Sequence, residues 1–319
     1  MRKRTLYSLG IALALVAALG VLLFLRFHAP PEVARLLPES DAIIYLNLKP
    51  VRAATHFDQQ PVSPSSDYAN FLAATGFRWD RDLDRIAIAL HRMPDPSGPN
   101  GVVAYTGVME GRFDSARLLA YLQANAASHE SYAGHDIYLL PGSEGRVLRV
   151  ATLGYEMLVA SNMPTTEQVH SVLDRYAAGA APFSGSSVLA KHYSEVPYFA
   201  LAWGIGHVGL PFSDRGKIVA FGITLPLSED TDFIASVSFR GNLHVRVEEL
   251  APTEADATQT AQNLTTLLNL IRGFMPGTGT PQDVAMHDAL ATMTVEQRQT
   301  HVVLTGNLSP TLLVVPKAK

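Results

Sequence analysis

Hydrophobic positions fall along this chain in three patterns, and each predicts a different element. The first is a run with no charge. Thr5–Leu25 is 21 residues rich in Leu, Ala, Val and Ile, bracketed by Arg2-Lys3-Arg4 and Arg26. At about 1.5 Å per residue, a helix of that length spans roughly the 30 Å hydrocarbon layer of a bilayer. The run exceeds the ~7–15-residue apolar core of a secretory signal, and the large residues Phe24, Leu25 and Phe27 stand where a signal peptidase requires small ones. Residues 1–28 therefore read as a cytoplasmic tip followed by an uncleaved transmembrane signal anchor. The cations ahead of the run favour a cytoplasmic N-terminus. The expected location is the inner (plasma) membrane, single-pass, with the bulk of the chain periplasmic or extracellular. Ala29-Pro30-Pro31 is a stiff spacer, because proline fixes φ.

The second pattern is short apolar or alternating segments bounded by turn residues, which predict strands. These are Ala42–Leu48, Ile86–Leu90, Val102–Met109, Asp136–Leu140, Arg146–Thr152, Met157–Ala160, Tyr198–Trp203, Lys217–Leu225, Phe233–Phe239 and Leu243–Glu249, with a closing hairpin of Thr292–Val295 and Thr300–Leu304. Turn clusters at 94–101 and at Gly241-Asn242 punctuate them. The third pattern is apolar spacing of three and four. It predicts helices over Tyr68–Thr75, Phe113–Gln123, Pro164–Gly179 and Ser187–Ser194, and a long one from Pro252 to Pro276. In the last of these Ala257, Ala261, Leu264, Leu268 and Ile271 form the stripe. Thr55–Asp67 reads as a loop and Ala177–Ser187 as a linker.

The order of elements recurs. Each half runs short helix, polar turn, apolar strand, strand pair, long helix, hairpin. The chain thus divides into 1–28, a first unit at 29–183, a second at 184–310 and a tail at 311–319. The predicted class is α+β: a transmembrane helix followed by two similar, mainly antiparallel sheet-plus-helix units, an internal repeat.

Composition narrows the function. Beyond the anchor stand 21 Lys and Arg against 29 acids, a net charge of −8, which argues against nucleic acid as a partner. The chain has no cysteine, so neither disulfides nor thiolate chemistry are available. Leu36-Leu37-Pro38 and Asp41-Ala42, leading into an apolar strand behind a single anchor, resemble a class of uncharacterised bacterial membrane-anchored exported proteins, a domain of unknown function. That resemblance implies a location and an architecture and carries no chemistry.

The motifs that could carry chemistry are each better read as structure. Gly204-Ile205-Gly206-His207-Val208-Gly209 has dinucleotide-fingerprint spacing, but Leu210-Pro211 follows where the phosphate-binding helix should start. His129-Glu130 and His135-Asp136 are the densest metal-type ligands, at a spacing that matches no common site. Ser186 with Lys191, and Ser143 between Gly142 and Gly145, lack the spacing of a serine nucleophile. Asp80, Asp82 and Asp84, interleaved with Arg81 and Arg85, read as salt bridges on a solvated loop. No catalytic, cofactor-binding or metal residues are expected. Tyr198, Phe199, Trp203 and Phe212 are the main aromatic concentration, read as core or as a groove for an envelope protein or glycan. The expectation is a non-catalytic envelope protein that binds or scaffolds a partner on the exported side and contacts the bilayer through residues 5–25. The alternative is an envelope hydrolase whose catalytic residues are dispersed in sequence.

Overall fold

The computed structural model describes residues 15–17, 19–20, 28–59, 65–142, 145–181, 184–207, 217–220, 223–226, 231–275, 277–309 and 312. Most of the uncharged run read from sequence as a signal anchor, Phe212 and nearly all of the 311–319 tail lie outside them. Among the described residues no helix is long and apolar enough to cross a membrane.

The described residues form a mixed helix and antiparallel sheet fold. In chain order it contains α1 (Glu32–Arg35), β1 (Ala42–Asn47), α2 (Leu48–Thr55), α3 (Ser66–Thr75), α4 (Trp79–Asp82), β2 (Leu83–Arg92), β3 (Val103–Gly111), α5 (Ser115–Asn125), β4 (Ser128–Tyr132), β5 (His135–Pro141), β6 (Val147–Leu153), β7 (Met157–Ser161) and α6 (Glu167–Ala177). There follow α7 (Ser187–His192), β8 (Ala200–His207), β9 (Lys217–Ala220), β10 (Ile223–Pro226), β11 (Asp232–Arg240), β12 (Asn242–Leu250), α8 (Glu254–Phe274), α9 (Pro281–Thr292), β13 (Thr294–Arg298) and β14 (His301–Leu308).

Twelve strands form one sheet in the order β13-β14-β12-β11-β8-β1-β2-β3-β7-β6-β5-β4. The halves expected as separate units are joined by the β1–β8 pair, which matches Ala42 to Gly206 and Tyr45 to Trp203. Their connections correspond. In each half three strands run outward from that seam, a helix follows the third (α5 or α8), and a later strand (β7 or β14) returns beside the third. The register can be followed from Val150 through Gly107, Ile44 and Ala235 to Leu304. All of these point to one face, because side chains alternate along a strand.

That register assigns the helices to faces. One face buries Ile43, Val108, Ile137 and Ile205 against α1, α6 and α7, with Val33, Leu173 and Leu189 interdigitating. The other face buries Tyr138 and Val150 against Leu118 and Leu122 of α5, and Val302 against Ala257 of α8. Under α8 the core includes a carboxyl. Glu249 is 2% exposed and accepts a hydrogen bond from the Thr260 hydroxyl at 3.2 Å. Burial pushes its pKa up to about 7.

Local chemistry sets several boundaries. Asp114, expected within the first turn of α5, is its N-cap and accepts from the Arg117 amide. Gly76, at φ 71°, ends α3. The segment 217–225, expected as one strand, is the β9–β10 hairpin, a separate two-stranded sheet. The 177–187 stretch read as a linker is stitched to the start of the folded region: Arg35 donates to the Ala180 carbonyl, and the Ser187 hydroxyl donates to Glu39 Oε2 at 2.7 Å.

Candidate functional site

At one end of the sheet the chain enters the folded region. His28 and Pro30 lie beside α7 and the single 3-10 turn Tyr193–Glu195 that follows it. Pro197 then opens a β-turn closed by the Ala200 amide donating to the Pro197 carbonyl at 3.0 Å. Tyr198 and Phe199 occupy the two central positions of that turn. This corrects their assignment to a strand, which starts only at Ala200. The turn explains their exposure, 69% for Tyr198 and 77% for Phe199. The His28 ring meets the Tyr198 ring edge-on, with centroids 4.6 Å apart. Both rings help line a hollow of about 320 Å³, together with Pro30, Leu189, Tyr193 and Val196.

The four aromatics grouped by sequence therefore separate. Trp203 is 3% exposed, stacked on its cross-strand partner Tyr45 with centroids 5.3 Å apart and met edge-on by Tyr193. It is core. Burial also pushes the Tyr45 hydroxyl up to about 12. Phe212 lies outside the described residues.

At the opposite end of the sheet Asp232 gathers one lysine and two histidines. Its Oδ2 meets Lys191 Nζ at 2.7 Å and His192 Nε2 at 3.1 Å, and its Oδ1 meets His207 Nδ1 at 2.9 Å. His207 ends β8 and Asp232 begins β11, so this cluster ties the neck of the intervening 208–231 segment to α7. Burial raises the Asp232 carboxyl, but the Lys191 and His207 hydrogen bonds and the nearby His192 more than offset it, leaving it below its ordinary range. Asp232→Asn is expected to lower stability by about 1–3 kcal/mol at pH 7. A carboxyl depressed in the fold stabilises above its unfolded pKa and loses that contribution as pH falls through the folded value. The gap between wild type and variant in denaturant melts should therefore narrow below pH 3.8, the unperturbed value.

The remaining chemical candidates have structural partners. Strand alternation sends His129 and Glu130 to opposite faces, as it does His135 and Asp136. Glu130 pairs with His170 at 2.9 Å, His135 Nδ1 meets the Thr152 carbonyl at 2.9 Å, and Asp136 accepts from Ser131. Among the described residues no three His, Asp or Glu side chains form a metal-type group. Gly204 and Gly206 lie inside β8. At Gly206 a Cβ would overlap that of Ala42 across the seam, so this glycine answers to close strand packing. Ser186 caps α7 by accepting from the Leu189 amide. Asp80 and Asp82 are not on a solvated loop: they are buried in and around α4, paired with Arg78 and with Arg81 and Arg112, while Asp84 pairs with Arg52.

No protein-family model matches the chain, and no curated protein sequence does. Among solved structures it is similar to TP0453. Crystal form III of that protein aligns at 9% identity over 89% of this chain and 96% of its own, with a TM-score of 0.48. Form IV aligns at 8% identity over 88% and 93%, with a TM-score of 0.46. At these values the likeness carries no functional argument.

Proposed function

We propose that this is a membrane-anchored cell-envelope protein whose ectodomain binds or scaffolds rather than catalyses. The anchor is the uncharged run Thr5–Leu25 behind Arg2-Lys3-Arg4, with the ectodomain on the exported side. The observation that carries the binding reading is the hollow beside His28, lined on one side by the exposed Tyr198, with the equally exposed Phe199 next to it in the chain. Consistent with it, Ser186 caps a helix, His135 bonds a backbone carbonyl, and His170 and Asp232 are held in charge pairs. The shared strand–helix connectivity of the two halves supports reading them as a duplicated unit.

Two reporters fused after Lys319 test the topology. One that works only outside the cytoplasm should be active, and one that works only inside should be silent; the reverse pattern rejects the anchor. Binding is tested by affinity capture of the membrane-extracted protein against the double variant Tyr198→Ser, Phe199→Ser. A partner held by both proteins equally would move the binding surface elsewhere. Turnover of ester, peptide or glycosidic substrates by the purified protein would replace binding with catalysis.

A further inference from the structure

We propose that the Tyr198–Phe199 turn sits in the lipid headgroup layer of the membrane that residues 5–25 cross, and so fixes how the ectodomain stands on that membrane. The inference rests on the anchor reading and names the occupant of the hollow's rim. Covalent geometry supplies the first argument. Leu25, the last residue of the uncharged run, is three residues from His28. An extended chain spans at most about 3.6 Å per residue, so His28 lies within about 11 Å of the end of the run. The headgroup region adds roughly 5–8 Å to each side of the hydrocarbon layer. His28 is therefore confined to the headgroup layer or the few ångströms just outside it, whatever path Arg26 and Phe27 take. The Tyr198 ring, with its centroid 4.6 Å from that of His28, is held there with it.

The second argument is chemical. An aromatic ring with an apolar body and a polar tip is the side chain that favours the membrane–water boundary. Tyr198 has that form, and Phe199 beside it adds apolar area. The fold gives both outward positions in a turn, where neither fills a core. The third argument concerns charge. The residues lining the hollow are His28, three aliphatic or proline types, Ala190, two serines and two tyrosines, with no Lys, Arg, Asp or Glu among them. Contact should then depend on apolar and interfacial partitioning and little on anionic lipid.

The absence of cysteine makes the test direct, since each introduced cysteine is a unique labelling site. The full chain is reconstituted in phosphatidylcholine vesicles with a fluorophore at Phe199→Cys, at Ser97→Cys or at Leu15→Cys. Ser97 is exposed in the β2–β3 turn, at the opposite end of the sheet from Tyr198. Lipids carrying a nitroxide on the headgroup or deep in the acyl chain report depth. The position-199 label should be quenched several-fold more strongly by headgroup nitroxide than the position-97 label, equally with and without phosphatidylglycerol. The position-15 label should be quenched by the deep nitroxide. Position 199 unquenched while position 15 is quenched would overturn the inference and leave the anchor standing. Position 15 unquenched would remove the anchor and the inference with it. Equal quenching at 199 and 97, or quenching at 199 only in anionic vesicles, would also overturn the proposal, the first by showing no preferred end and the second by showing attraction through charge.

Discussion

Replacing Glu249 by Gln should stabilise the protein by about 3 kcal/mol at pH 8 and change little at pH 4. The carboxyl is raised from 4.5 to about 7 in the fold by burial beneath α8. Between those values the folded state binds the proton more tightly than the unfolded state does. Its stability contribution is therefore fully present below pH 4.5 and is lost as pH rises through 7. A rise from 4.5 to about 7 corresponds to roughly 3 kcal/mol, since about 1.4 kcal/mol goes with each tenfold change in proton affinity. Glutamine keeps the shape and can still accept from Thr260, but cannot ionise. Denaturant titrations of both proteins from pH 4 to 8 measure the difference. His91 and His192, whose pKa values burial lowers, titrate in the same range with the opposite sign. Only the difference between wild type and variant isolates Glu249. A constant difference across the range would mean that the carboxyl is hydrated in solution.

The second large effect belongs to the same helix. Leu268 is 8% exposed and is the stripe position nearest the C-terminal half of α8 that is fully turned inward. Leu268→Ala should cost about 2–5 kcal/mol, combining lost burial with the cavity left behind. Gln262 is exposed on the other side of the helix, and Gln262→Ala should stay within about 0.5 kcal/mol. Equal losses at the two positions, measured by chemical denaturation, would reject the orientation of α8 on the sheet.

Elements with strong period were legible before the fold was known. β1 and α8 are examples: a continuous apolar run buried or half-buried along its length, and a stripe of three and four. Elements lacking period were not. α9 has apolar residues spread around its circumference and shows no stripe; its legible signal was the capping box of Thr280 and Asp283 with Pro281 between them. β4, Ser-His-Glu-Ser-Tyr, is a short polar edge strand with no apolar face to read. Tyr198 and Phe199 resemble strand residues by type, and only the Pro197 turn places them outside β8. The seam between the halves was invisible for a different reason. Gly206 and Ala42 are small because two backbones approach closely, and their partnership spans more than 160 residues of chain. The hollow beside His28 and the Asp232 cluster have the same origin: each unites residues that the sequence holds far apart.

The β1–β8 pair also sets a timetable. β1 is made early and can pair with β2 almost at once, but its other edge waits for β8, which begins 158 residues after β1 does. At about 5–20 residues per second of synthesis, that delay is roughly 8–30 s. Throughout it the first half presents an unpaired strand, Ala-Ile-Ile-Tyr-Leu-Asn, at the growing end of its sheet. In the finished fold both outer strands are five-residue polar segments that discourage further pairing. The nascent chain has that protection on its β4 side only. The interval before β8 arrives is thus when the protein is most open to pairing with a second copy of itself, and when a holdase would have the most to shield.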